Sequence, residues 1–116
     1  MAPKSGEYME IYHNPRCSKS REALSIIQHR NPEIIFYLKQ PLTHSDITKI
    51  ISRLDDPLED LVRWGDKEAP QKPSIMDVKS IIAILIDNPK LLQRPIIDDG
   101  VIARICRPPQ KASNYT

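Results

Sequence analysis

Cys17 stands in the stretch Ile11-Tyr12-His13-Asn14-Pro15-Arg16-Cys17-Ser18-Lys19-Ser20-Arg21-Glu22, where an extended, aromatic segment gives way to helical spacing. A thiol at such a junction is placed to ionise. The N–H groups and positive dipole end of a helix favour an anion at the first turn, and Arg16, Lys19, Arg21 and His13 add positive potential. Surroundings of this kind lower a cysteine pKa from ~8.5 toward ~3.5–7.5, which makes Cys17 a candidate nucleophile. A buried inert thiol is the blander reading, common for free cysteine, but it fits polar and basic flanks poorly. In Cys17-Ser18-Lys19-Ser20 a serine takes the second position of a C-x-x-C pair, so no local disulfide forms and a redox cycle needs an outside thiol. The sixth residue after Cys17 is Ala23, which excludes the C-x5-R loop of cysteine phosphatases.

The elements around Cys17 follow from periodicity. Tyr8, Met9, Ile11 and Tyr12 suit a strand, Asn14-Pro15 breaks it, and Ala23, Leu24 and Ile27 repeat at helical spacing, with Ser18 and Ser20 as candidate caps. The apolar run Ile34-Ile35-Phe36-Tyr37-Leu38 within Glu33 to Leu38 predicts a buried second strand, parallel to the first through a right-handed crossover. Thr43 to Asp46 caps a helix marked by Ile47, Ile50, Ile51 and Leu54 and ended by Asp55-Asp56-Pro57. A short helical stretch is expected from Leu58 to Trp64, then a polar loop with Gly65, Pro70 and Pro73, the most mobile by composition. Ser74 with Asp77 resembles a capping box before the apolar helix of Val78, Ile81, Ile82, Leu85 and Ile86, and Lys90 to Gln93 adds a turn after Asn88-Pro89. Pro95-Ile96-Ile97 and Val101-Ile102-Ala103 flank Asp98-Asp99-Gly100 as a hairpin with an Asp-Gly turn. The end from Pro108 to Thr116 is polar and expected to fray. The order β-α-β-α-(short α)-α-β-β gives an α/β domain with a small mixed sheet, compatible with a thioredoxin-like arrangement.

With 116 residues the chain fits one domain spanning 1–116, able to bury about 60–70% of its extended surface. Its 40% hydrophobic and 28% charged content is that of an ordinary globular protein. Seventeen basic residues against 15 acidic ones leave a net charge of +2, too little to imply nucleic-acid binding. No run approaches the ~18 apolar residues of a membrane span, and Met1 to Gly6 lacks the apolar stretch of an export signal, so a cytoplasmic protein is expected. Cys17 and Cys106 cannot build a disulfide framework. Cys106 reads as a packed strand residue rather than a resolving thiol. A zinc site of His13, Cys17 and Cys106 lacks a compact ligand cluster.

The blocks His13-Asn-Pro-Arg-Cys17-Ser-Lys-Ser-Arg21, Leu91-Leu-Gln-Arg94-Pro95-Ile and Arg104-Ile-Cys-Arg107-Pro108, in that order, resemble the ArsC family of glutaredoxin-dependent arsenate reductases. The resemblance implies a thioredoxin-like fold with an added helical subdomain and a nucleophile at Cys17. It implies arsenate-binding arginines at Arg94, Arg107 and Arg63, a cis proline at Pro95 beside the site, and a His13 that helps hold the thiolate. It also implies glutathione as co-substrate, glutaredoxin as partner, and no metal or bound cofactor. The chain departs from the best-known members at Ser18-Lys19, in a shortened Gly65 to Pro73 region and in its polar end.

The chemistry is coherent with these residue types. Guanidinium groups present planar donor forks that suit a tetrahedral oxyanion and offset charge developing during attack. Without the resemblance, single arginines read as surface residues and His13 as a turn residue. Two further functions compete: a glutathione-dependent thiol reductase with another substrate, and a non-enzymatic Spx-like regulator that binds RNA polymerase. Ser20 removes the usual C-x-x-C switch of the regulator. A monomer is expected.

Overall fold

Four three-residue strands form the sheet in a computed structural model that describes residues 8–116; Met1 to Gly6, the segment expected to lack an export signal, lies outside them. Strand β1 (Glu10–Tyr12) pairs in parallel with β2 (Glu33–Ile35) and antiparallel with β3 (Ile96–Asp98), which pairs antiparallel with β4 (Ala103–Ile105). The order is β2-β1-β3-β4. Helix α1 (Ser18–Ile27) is the crossover between the parallel strands, as the strand-helix-strand order predicts. Helices α2 (His44–Arg53) and α3 (Val78–Asp87), with short 3-10 turns at Leu58–Leu61 and Pro89–Leu91, are inserted between β2 and β3.

Successive strand residues point to opposite faces, and here both faces are covered. Ile11 and Ile97 join Ala23 and Ile27 of α1 with Ala112 and Tyr115. Tyr12, Ile96 and Ile105 join Ile47 and Ile50 of α2, Ile81 and Leu85 of α3, and Leu61. Burial on both sides holds for the central strands β1 and β3, whose residues are all buried, whereas β2, expected as a buried strand, lies at the sheet edge with Glu33 exposed and Ile34 and Ile35 half-buried. Two ion pairs fasten α2 to the end of the sheet: Lys49 Nζ lies 3.0 Å from Glu10 Oε1, and Arg53 Nη1 lies 2.9 Å from the fully buried Asp98. Beyond α2, Asp55 N–H donates to the Ala103 carbonyl (2.9 Å) and Asp56 Oδ2 accepts from Ile105 N–H (2.8 Å), so the β4 edge is covered.

Several boundaries differ from the sequence expectation. Thr43 caps α2 through the complete box with Asp46, as read, but α3 is capped by Asp77, which accepts from Ser80 N–H, and not by Ser74. Neither Ser18 nor Ser20 caps α1, because Cys17 itself holds the N-cap position. Strand β2 stops at Ile35, and Phe36 to Gln40 form a turn closed by donation from Lys39 and Gln40 N–H to the Phe36 carbonyl. The hairpin exists with β4 beginning at Ala103, later than expected, so the connection is longer than a two-residue Asp-Gly turn. Gly100 sits there at φ +92°, a conformation that favours glycine, and an added Cβ would meet Tyr8 at 3.2 Å. The expected frayed end is instead a 3-10 helix over Pro109–Tyr115 that buries Pro109, Ala112 and Tyr115. Their spacing of three residues eclipses them on one face of a 3-10 helix, a pattern hidden by the polar residues between them.

Candidate active site

Strand β1 delivers the site loop. His13 N–H donates to the Ile35 carbonyl (2.9 Å), extending the parallel pairing one step, and Cys17 N–H then donates to the Asn14 carbonyl (3.0 Å) to close a tight turn. Ser20, buried in the first turn of α1, holds that loop from inside. Its hydroxyl accepts from Asn14 N–H (3.1 Å) and lies 2.6 Å from His13 Nδ1, a geometry that fits donation to a neutral imidazole. Arg21 donates through Nη1 to the Pro15 carbonyl (2.8 Å), and Arg16 N–H to Asn14 Oδ1 (3.0 Å). The serine that replaces the second cysteine of a C-x-x-C pair is therefore a clamp.

Cys17 has extended backbone angles (φ −95°, ψ 119°) and a partly exposed thiol at the mouth of α1. Burial raises its pKa, but the Ser20 backbone N–H, the Arg94 guanidinium and the Lys19 backbone N–H act the other way and leave the thiol below its ordinary value. His13 contributes differently from the expectation. It is 4% exposed, and burial followed by the Arg21 charge lowers its pKa, so the ring is neutral at pH 7 and adds no positive potential. Its ring bonds to Ser20, so it reaches Cys17 through the clamp and shapes the loop.

The arginines arrive from distant segments. The chain enters β3 through a cis Arg94–Pro95 bond, as the resemblance implies, and the Pro95 carbonyl accepts from Cys106 N–H (2.8 Å). This places the Arg94 guanidinium against Cys17, with its Nε buried and unpartnered. Arg63 is brought alongside by a short antiparallel pairing: Val62 bridges Leu92, Arg63 N–H donates to the Leu91 carbonyl (2.8 Å), and Gln93 N–H donates to the Leu61 carbonyl (2.9 Å). Its Nη1 lies 3.4 Å from Asp66, leaving a loosely held guanidinium. Arg107 is exposed and donates through Nη1 to the Arg94 carbonyl (3.0 Å), and it lines a groove of about 360 Å³ with Trp64 and Gln93. Arg94 is thus directly at the thiol, while Arg107 braces its backbone from the neighbouring groove.

Tyr37 was missed by sequence reasoning. It follows β2 between the exposed Phe36 and Leu38, yet it is 1% exposed. Burial raises its hydroxyl pKa; the charges of Arg94 and Arg63 oppose this and that of Cys17 adds to it, so the hydroxyl lies within electrostatic reach of all three. The apolar run of which it is part showed no alternation to mark it as the buried member. Cys106 is packed and 0% exposed, as the sequence reads, though one residue past the end of β4 and not within a strand, and burial pushes its thiol up to about 12. Among the described residues no cluster of His, Cys, Asp or Glu could hold a metal ion, and no helix is long and apolar enough to cross a membrane.

A lowered thiol facing a cationic, partly desolvated wall can attack an electrophilic centre that carries negative oxygens. Comparison with known proteins points the same way. The model of the ArsC family matches residues 12–114. The chain is 38% identical over 111 residues to an Escherichia coli K12 protein called uncharacterized protein YfgD, covering 89% of this chain and 92% of that one. It is 34% identical over 106 residues to an arsenate reductase of Neisseria meningitidis, covering 86% and 91%. The solved arsenate reductase from Vibrio cholerae superposes with a TM-score of 0.83 at 28% identity, over 94% of this chain and 98% of that one.

Proposed function

The chain belongs to the ArsC family, and from that premise we propose that it is an arsenate reductase that draws its electrons from glutathione and glutaredoxin. One observation carries the reading: the lowered Cys17 thiol sits against Arg94, whose buried Nε has no partner. In the proposed reaction the Cys17 thiolate attacks the arsenic of arsenate. An S–As bond forms, an As–O bond breaks, and the departing oxygen leaves as water after taking up protons. Arg94, with Arg63 and Arg107 nearby, offsets the charge on the remaining oxygens. Glutathione then displaces a second arsenic oxygen: an As–S bond to glutathione forms, an As–O bond breaks, and that oxygen leaves as water with the thiol proton and one from solvent. A glutaredoxin thiolate attacks the glutathione sulfur, breaking its bond to arsenic. Two electrons pass to arsenic, As(V) becomes As(III), a glutathione–glutaredoxin disulfide forms, and hydrolysis frees arsenite and Cys17.

The need for an outside thiol follows from this chain's own residues. Ser20 cannot form a disulfide, and the buried Cys106 thiol, pushed up to about 12, is a poor resolving partner. The reading places the protein, as a monomer, in a reducing cytoplasm where both cysteines remain thiols.

The test is arsenate-dependent NADPH oxidation coupled through glutathione reductase, glutaredoxin and glutathione. Cys17→Ser is expected to abolish turnover. Arg94→Ala is expected to reduce kcat/KM by about 10²–10³-fold, the usual effect of losing one oxyanion donor. Wild-type protein that turns over a glutathione mixed disulfide but not arsenate would reassign the site to a thiol reductase.

A further inference from the structure

Two buried polar atoms among the described residues have no hydrogen-bond partner, the Tyr37 hydroxyl and Arg94 Nε. Buried polar groups are nearly always paired, so each such orphan calls for an explanation. These two are not scattered. Tyr37 is within electrostatic reach of Arg94, Cys17 and Arg63, and Arg94 acts directly on Cys17. Both orphans can donate, and an oxyanion bound beside the thiol supplies the acceptors that the fold does not. The Asn14 side chain lies near enough to favour the ionised hydroxyl, but no group of the fold meets the hydroxyl in full hydrogen-bond geometry, and Phe in its place would pack the same ring without an orphaned group.

We infer that Tyr37 is a substrate-binding residue of this site, its hydroxyl donating a hydrogen bond to an oxygen of the tetrahedral oxyanion held between Cys17, Arg94 and Arg63. The inference rests on the oxyanion reading above and adds to it a neutral donor. Cationic arginines attract any anion of suitable charge. A neutral hydroxyl fixed in the core adds direction to a site otherwise set by charge. Burial keeps the phenol protonated, hence able to donate, throughout the pH range in which the thiolate forms.

Tyr37→Phe isolates the hydroxyl while keeping the ring in the core. In the coupled assay the variant is expected to lose about ten- to a hundredfold in kcat/KM for arsenate, the range for a hydrogen bond to a charged group. Its melting temperature without anion is expected to match or exceed wild type, because an unpaired buried hydroxyl has been removed. Arsenate, added without thiols, is expected to raise the melting temperature of wild type more than that of the variant. A lower melting temperature without anion would show a structural hydroxyl and overturn the inference. Equal kcat/KM and equal stabilisation by arsenate in both proteins would overturn it while leaving the arsenate reading intact. Wild type that neither turns over arsenate nor is stabilised by it would overturn that reading and the inference together.

Discussion

At Cys17, partial burial opposes ionisation while two backbone N–H groups and one guanidinium favour it, and the second set prevails. Because the folded pKa lies below the unfolded one, the thiolate contributes stability that is complete above the unfolded pKa and is lost as pH falls through the folded one. The same ionisation is visible in reactivity. The rate of iodoacetamide labelling is expected to rise with a midpoint below the ordinary thiol value of ~8.5, and Arg94→Ala is expected to move that midpoint up. Cys106 obeys the opposite physics: it is fully buried and raised to about 12. Mass spectrometry should therefore find one label on the native chain at Cys17 and a second, at Cys106, only after denaturation. Labelling of native Cys106 would contradict its packing. The strand-to-helix position and basic flanks of Cys17 were legible in the sequence. Tyr37 was not, because nothing in Ile34-Ile35-Phe36-Tyr37-Leu38 distinguishes the residue that turns inward after β2 from its two exposed neighbours.

Elements whose ends are set by local hydrogen bonds were the most readable. Thr43 accepts from Asp46 N–H (3.1 Å) and Asp46 Oδ2 accepts from Thr43 N–H (2.8 Å), the reciprocal box that the residue types announce. Thr43→Ala is expected to lower stability by about 1 kcal/mol, measured by urea unfolding, with arsenate turnover unchanged because α2 supplies no residue to the thiol. A comparable loss of turnover would show that α2 bears on the site after all. Ser74 and Asp77 illustrate the limit of such reading. Both are good capping residues, and the choice falls on Asp77, whose side chain meets Ser80 N–H at 2.7 Å. The first two strands were overextended, since apolar residues beyond Ile35 look the same as those within the ladder until the partner strand ends at Tyr12 and His13, and β4 was placed two residues early because the connection after Asp98 is longer than a tight turn.

For the molecule as a whole, the last residues matter more than their composition suggests. Tyr115 is 3% exposed, donates to the Ile102 carbonyl (3.0 Å), and carries the Arg104 guanidinium 5.3 Å from its ring centre. It closes the cluster in which Ile11, Ala23 and Ile27 are buried, and so backs the helix that presents Cys17. Tyr115→Ala is expected to cost about 3–5 kcal/mol, as for other buried aromatic truncations, read from chemical denaturation; a change below about 0.5 kcal/mol, typical of surface positions, would mean that the tail is dispensable. By itself the sequence determined the features that depend on near neighbours: the cysteine at a strand–helix junction, the capping box of α2, the apolar faces of α2 and α3, and the serine that forbids a local disulfide. Tertiary structure alone decided which groups gather at that cysteine and what backs its helix. Arg63 approaches because residues 61–63 pair with 91–93, Arg94 because β3 lies beside β1, Tyr37 because the chain turns inward after β2, and Tyr115 because a 3-10 spacing lays it on α1. Capping and periodicity act within a turn or two of chain, whereas the site is assembled across separations that only the packing of both sheet faces closes.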